Sequence, residues 1–106
     1  MSDLQIKYER SGGFAGLKLS TSFELDDLSD EQEKQLRHLL DEVDFFDLPA
    51  QILPTHPGID RFTHKIEVKS KKRKHVVVTT DSAAPEELLP LIELLNLLAR
   101  THRKED

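Results

Sequence analysis

The chain has no cysteine and no tryptophan, and only one methionine and one tyrosine among its 106 residues. Without thiols it can form neither disulfides nor thiolate metal sites. Small secreted domains commonly depend on disulfide staples, so their absence points to a reducing compartment. Long apolar runs are missing too. The richest stretch, Leu88 to Ala99, is too short to span a bilayer and is interrupted by Pro90, Glu93 and Asn96. The opening residues, Met1 to Tyr8, lack the basic stretch and apolar core of a signal peptide. These absences predict a cytoplasmic protein with no membrane contact. A basic balance is also lacking: the net charge of −5 argues against general nucleic-acid binding.

Familiar catalytic patterns are absent as well. The five histidines include no pair at the H-E-x-x-H spacing of zinc hydrolases. No G-x-S-x-G nucleophile turn occurs. The glycine-rich segment Gly12-Gly13-Phe14-Ala15-Gly16 lacks the lysine of a phosphate-binding loop and leads into a strand pattern, not a helix. His64 and His75 sit on neighbouring strand patterns. Facing each other they would supply two ligands, short of the three or four a stable site needs, so they are read as surface histidines. The expectation is no enzyme, no metal and no cofactor.

What is present is a well-patterned small domain. Hydrophobic residues make up 37% and charged residues 33%, enough for one modest core under a densely charged surface. We read residues 1–106 as a single domain, ordered over about 3–101. Leu4, Ile6 and Tyr8 alternate with Gln5, Lys7 and Glu9, and the same alternation runs from Leu17 to Leu25. Strict alternation marks a strand with one buried face. The glycine-rich segment between them reads as a hairpin loop.

Ser29 and Gln32 form a capping-box pattern, followed by Leu36, Leu39, Leu40 and Val43 on one helical stripe. The acidic residues at its start are explained by capping and the helix dipole. The helix is expected to end near Asp44, with Phe45, Phe46 and Leu48 tucked under the sheet. Pro49, Pro54, Pro57 and Gly58 make the next stretch an irregular connection. A second hairpin follows, from Phe62 through a turn at Ser70–Arg73 to Thr80. Pro85 opens the last helical segment, and Pro90 requires either a separate first turn or a kink.

The order β-β-α-β-β-α predicts an α+β fold. Its two hairpins combine into a four-stranded antiparallel sheet, with both helices on one face and the other face solvated.

Three features invite binding. Lys65, Lys69, Lys71, Lys72, Arg73, Lys74 and His75 make the second hairpin basic, as an electrostatic arm for nucleic acid or an acidic partner or as a solubilising turn. Nucleic acid is the disfavoured occupant. Leu89, Leu94 and Leu97 widen the apolar surface of the last helix, either as core or as the face of a weak homodimer or adaptor. Phe14, in the middle of the glycine loop, either folds back onto the sheet or projects as an anchor.

Four segments carry a resemblance to a known family. They are Ser11-Gly12-Gly13-Phe14-Ala15-Gly16-Leu17, Asp44-Phe45-Phe46-Asp47-Leu48-Pro49, Pro57-Gly58-Ile59-Asp60-Arg61-Phe62, and the run from Asp81-Ser82-Ala83-Ala84 through Pro85 to Leu91. In this order the chain resembles the emfourin family, small protein inhibitors of protealysin and other thermolysin-like zinc metallopeptidases. The resemblance implies a cytoplasmic inhibitor that occludes the enzyme's cleft without itself holding zinc. Thermolysin-like clefts favour bulky apolar residues beside the scissile bond. The loop Gly12, Gly13, Phe14, Ala15, Gly16 is therefore the first candidate contact, with Phe14 as anchor. Asp81 and Ser82, and Lys72 and Arg73 at the basic tip, are secondary candidates. The basic tip is heavier than the family pattern suggests, which leaves the choice of target enzyme open.

Overall fold

The structure is a computed structural model that describes residues 4–12, 18–54 and 62–101. Strands β1 (Leu4–Gly12) and β2 (Lys18–Glu24) are followed by a 3₁₀ turn and helix α1 (Asp30–Glu42). A short strand β3 (Gln51–Ile52) precedes β4 (Phe62–Ser70) and β5 (Lys74–Thr80). A 3₁₀ turn at Glu86–Leu88 leads into helix α2 (Leu89–Thr101). Of the two readings of Pro90, the separate first turn is the one adopted: α2 begins at Leu89, so Pro90 falls in its first turn, where no intrahelical donor is needed.

The α+β class and the two helices are as expected, but the sheet differs from the predicted one. It has five strands in the order β2-β1-β4-β5-β3 and is mixed. The four long strands pair antiparallel, with β1 and β4 joining the hairpins in the centre. The fifth, β3, pairs parallel to β5 in the stretch read as an irregular connection. Pro49 and Pro54 bracket it, so it is two residues long and sits at the sheet edge, the place where proline-flanked strands are tolerated. Its pairing is secured by Val78 N–H donating to the Ala50 carbonyl at 2.9 Å and Thr79 Oγ1 donating to the Ile52 carbonyl at 2.8 Å.

Strand alternation sorts the sheet into two faces. Ile6, Tyr8, Phe23, Ile66, Val68 and Val77 are buried on one face, against Leu36 and Leu40 of α1 and Leu91, Leu95 and Leu98 of α2. Both helices cover this face, as expected. On the opposite face Lys7, Lys65 and Lys69 are exposed, and the Glu67 carboxylate forms ion pairs with Lys7 and Lys74 at 3.9 and 3.7 Å.

Local signals hold the first helix in place. Ser29 Oγ accepts the Gln32 N–H at 3.2 Å while Gln32 Oε1 accepts the Ser29 N–H at 3.4 Å, which closes the capping box. Beyond the helix, Asp44 takes a left-handed conformation (φ 49°) that an aspartate tolerates better than most residues. The chain there turns so that Phe45 enters the core. On α2, Leu94 joins Leu91, Ile92, Leu95, Leu98 and Ala99 in the core, and the leucines left exposed are Leu89 and Leu97. The leucine-rich surface of this helix is thus mostly core.

Candidate functional site

One end of the sheet gathers most of the segments singled out above. The last residue of β1, Gly12, is the register partner of Phe62, the first residue of β4. Gly12 has φ 117°, a value that favours glycine. The N–H of Asp81, just past the end of β5, donates to the Phe62 carbonyl at 3.3 Å. The places where the chain leaves β1, enters β4 and leaves β5 therefore lie side by side. Gly13, Phe14, Ala15 and Gly16, like residues 55–61, lie outside the described residues; so does the orientation of Phe14. Gly12, Asp81 and Ser82 are brought together by the strand pairing, and both Asp81 and Ser82 are exposed.

Behind this edge sits a group of polar side chains on the covered face. Arg10, on β1, lies with its guanidinium carbon 4.4 Å from the centre of the Phe62 ring and donates to Asn96 Oδ1 of α2 at 3.0 Å. His64 on β4, the register partner of Arg10, stacks on Tyr8 with ring centres 6.1 Å apart. Tyr8 and His64 are 1% and 5% exposed. His64 Nε2 lies 2.7 Å from Asp81 Oδ1, and His64 Nδ1 lies 2.9 Å from the Tyr8 hydroxyl. A carboxylate only accepts, so Nε2 carries the proton shared with Asp81, and in the neutral ring Nδ1 accepts from Tyr8. Burial pushes the Tyr8 phenol up to about 12; Arg10 pulls it down and the Asp81 carboxylate adds to the rise. The phenol thus stays a donor at any physiological pH.

The histidines correct the sequence reading. His64 pairs in register with Thr79 and His75 with Val68, so the two do not face each other. Neither is a surface residue. Both point to the covered face, His64 into the group just described and His75 against Phe45, with ring centres 5.7 Å apart. His75 Nε2 also donates to the Leu48 carbonyl at 2.6 Å. Sequence alternation already placed His64 in the same row as Ile66 and Val68. Its partner Asp81 is 17 positions away and could be found only from the fold. Among the described residues, no cluster of three or more potential ligands is placed to hold a metal ion.

The basic tip lies at the other end. Leu4 pairs with Ser70 and Lys69 with Lys74, so Lys72 and Arg73 are separated from the Gly12 edge by the length of β4, about 26 Å for a nine-residue strand. Both are exposed, and Arg73 lies over the Phe46 ring with its guanidinium carbon 4.1 Å from the centre. The fold therefore splits the candidate residues into Gly12, Asp81 and Ser82 at one end and Lys72 and Arg73 at the other.

The decisive comparison is with families of known proteins: the model of the Emfourin family matches residues 8–96. The chain belongs to the Emfourin family. It is a family of peptidase inhibitors, which sets this Emfourin protein among binding proteins and not among enzymes. A solved structure of emfourin from Serratia proteamaculans, an M4 family peptidase inhibitor, is similar at 18% identity, over 98% of this chain and 92% of that one, with a TM-score of 0.45. None of the curated proteins matches.

Proposed function

We propose that the chain inhibits thermolysin-like zinc metallopeptidases in the cytoplasm by seating the Gly12–Phe62–Asp81 end of its sheet in the enzyme's cleft. The observation that carries this reading is the pairing of Gly12 with Phe62 and the bond from Asp81 to Phe62. These bring three of the four segments on which the family resemblance rests to one edge. An inhibitor gains affinity when its contact surface is rigid before binding, since the ordering cost is then met by folding. Gly12 and Lys18, the described residues on either side of the candidate segment 13–17, end two strands in continuous register from Gln5–Glu24 to Ser11–Lys18. The glycines permit close backbone approach to the cleft, and Phe14 supplies the apolar anchor. No metal of the inhibitor's own enters the mechanism: occlusion needs shape and apolar contact.

The test is direct. The purified full-length protein is mixed with a thermolysin-like peptidase and residual cleavage of a peptide substrate is followed. Inhibition saturating at one inhibitor per enzyme supports the reading, and a fully active enzyme rejects it. Phe14→Ala is expected to weaken inhibition by about 2 kcal/mol or more, roughly 30-fold in the inhibition constant. An unchanged constant in the folded variant removes Phe14 as the anchor.

A further inference from the structure

We infer that His64 is a positioning residue for the inhibitory surface: held in the core between Tyr8 and Asp81, it locks the Asp81–Ala84 turn into the shape that meets the peptidase. The inference rests on the proposed function and names how the same surface is kept in order.

The row of β4 that faces the helices continues from Val68 through Ile66 to His64, and the first two are fully buried apolar residues. A third apolar side chain would fill that position without a desolvation cost, whereas a buried imidazole must have its nitrogens satisfied. Here both are, by groups from two other elements. Tyr8 reaches Nδ1 from β1 and Asp81 reaches Nε2 from the turn. The ring therefore cannot rotate without breaking a buried bond, and its stacking on Tyr8 removes the remaining freedom.

The turn needs such a tie. Its internal bonds, from the Ala83 N–H to Thr80 Oγ1 at 3.3 Å and from the Ala84 N–H to the Thr80 carbonyl at 3.0 Å, shape it but do not orient it against the sheet. The Asp81 N–H bond to Phe62 crosses to β4 at a long 3.3 Å. The 2.7 Å contact from His64 to the Asp81 carboxylate is shorter and charge-assisted, so it is the firmer crossing. Asp81 is nonetheless half in solvent, its side chain 43% exposed. The arrangement thus runs from a buried phenol, through a buried imidazole, to a carboxylate at the candidate contact edge. It fixes that edge in the free protein, and its loss should appear mainly in the rate at which the complex falls apart.

The experiment uses full-length His64→Phe, Asp81→Ala and Asp81→Asn, with two readouts: the inhibition constant against a thermolysin-like peptidase, and amide hydrogen exchange at Ser82–Ala84. His64→Phe and Asp81→Ala are expected to raise the inhibition constant by about 10- to 100-fold, chiefly through dissociation, and to speed exchange in the turn. Asp81→Asn keeps an acceptor oxygen for His64 but loses the charge, and is expected to weaken inhibition less than Asp81→Ala does. If His64→Phe does not fold, the exposed-turn variant Asp81→Ala decides. Folded variants that inhibit like the parent overturn the inference, as does weakened inhibition with turn exchange unchanged. Asp81→Asn as poor as Asp81→Ala also overturns it, since the carboxylate then acts on the partner directly. A parent protein that leaves the peptidase active sinks the functional reading itself, and this inference with it.

Discussion

Raising the pH above 10 should destabilise this protein through one identifiable group. Tyr8 is the chain's single tyrosine. It is 1% exposed, and its hydroxyl donates to His64 Nδ1 at 2.9 Å. Ionisation would place a phenolate in an apolar interior near the Asp81 carboxylate, and the phenol is accordingly raised from 10.0 to about 12. In the unfolded chain it titrates near 10. Between these values the native state holds more protons than the unfolded state, so stability falls as pH rises; it is fully present below pH 10 and lost by about pH 12. The shift of about two units corresponds to about 2–3 kcal/mol. A domain of this size has roughly 5–15 kcal/mol in total, so the loss is a large fraction. The assay is urea unfolding at a series of pH values from 8 to 12, on the parent and on Tyr8→Phe. The variant starts lower by about 1–3 kcal/mol, because His64 Nδ1 loses its donor. It must lack the additional alkaline slope, which assigns that slope to Tyr8. Phenolate absorbance gives an independent reading, because every phenolate signal belongs to Tyr8. A folded protein whose tyrosine titrates with a midpoint near 10, or a Tyr8→Phe variant with the same alkaline slope as the parent, would refute the reasoning.

Other perturbations separate core, helix start and surface. Leu95→Ala, at a fully buried position between α2 and the sheet, is expected to cost about 2.5–5 kcal/mol by urea unfolding with an unchanged denaturant slope. Ser29→Ala opens the capping box of α1 and is expected to cost about 1 kcal/mol, measured the same way. Reversing charge at the far end with Lys72→Glu and Arg73→Glu is expected to leave peptidase inhibition within about twofold, since a strand length of about 26 Å separates it from the Gly12 edge. A large loss in that double variant would move the contact surface to the basic tip.

Much of the fold was readable in order. The alternation of Leu4, Ile6 and Tyr8, the capping box at Ser29 and Gln32, and the leucine stripe of the last helix each state a local preference that the structure keeps. Such signals depend on neighbours a few positions apart, and one chain displays them fully. The two-residue strand at Gln51–Ile52 left no such trace, because its pairing comes wholly from β5 and its flanking prolines read as loop. His64 and His75 depart from the sequence expectation for a related reason: alternation says which residues share a face, but it cannot say that a polar residue in a buried row has found its partners.

From the sequence alone came the class of fold, the lack of disulfides, and a family resemblance that the match over residues 8–96 bears out. Those follow from composition, short-range periodicity and motifs that survive as strings. Only the tertiary structure decided that Gly12, Phe62 and Asp81 share one edge, that Lys72 and Arg73 lie at the other, and that Tyr8, His64 and Asp81 are linked. The reason is distance along the chain: the Tyr8–His64 bond closes over 56 positions, and which partner a strand or side chain selects at that range is set by how the whole core packs.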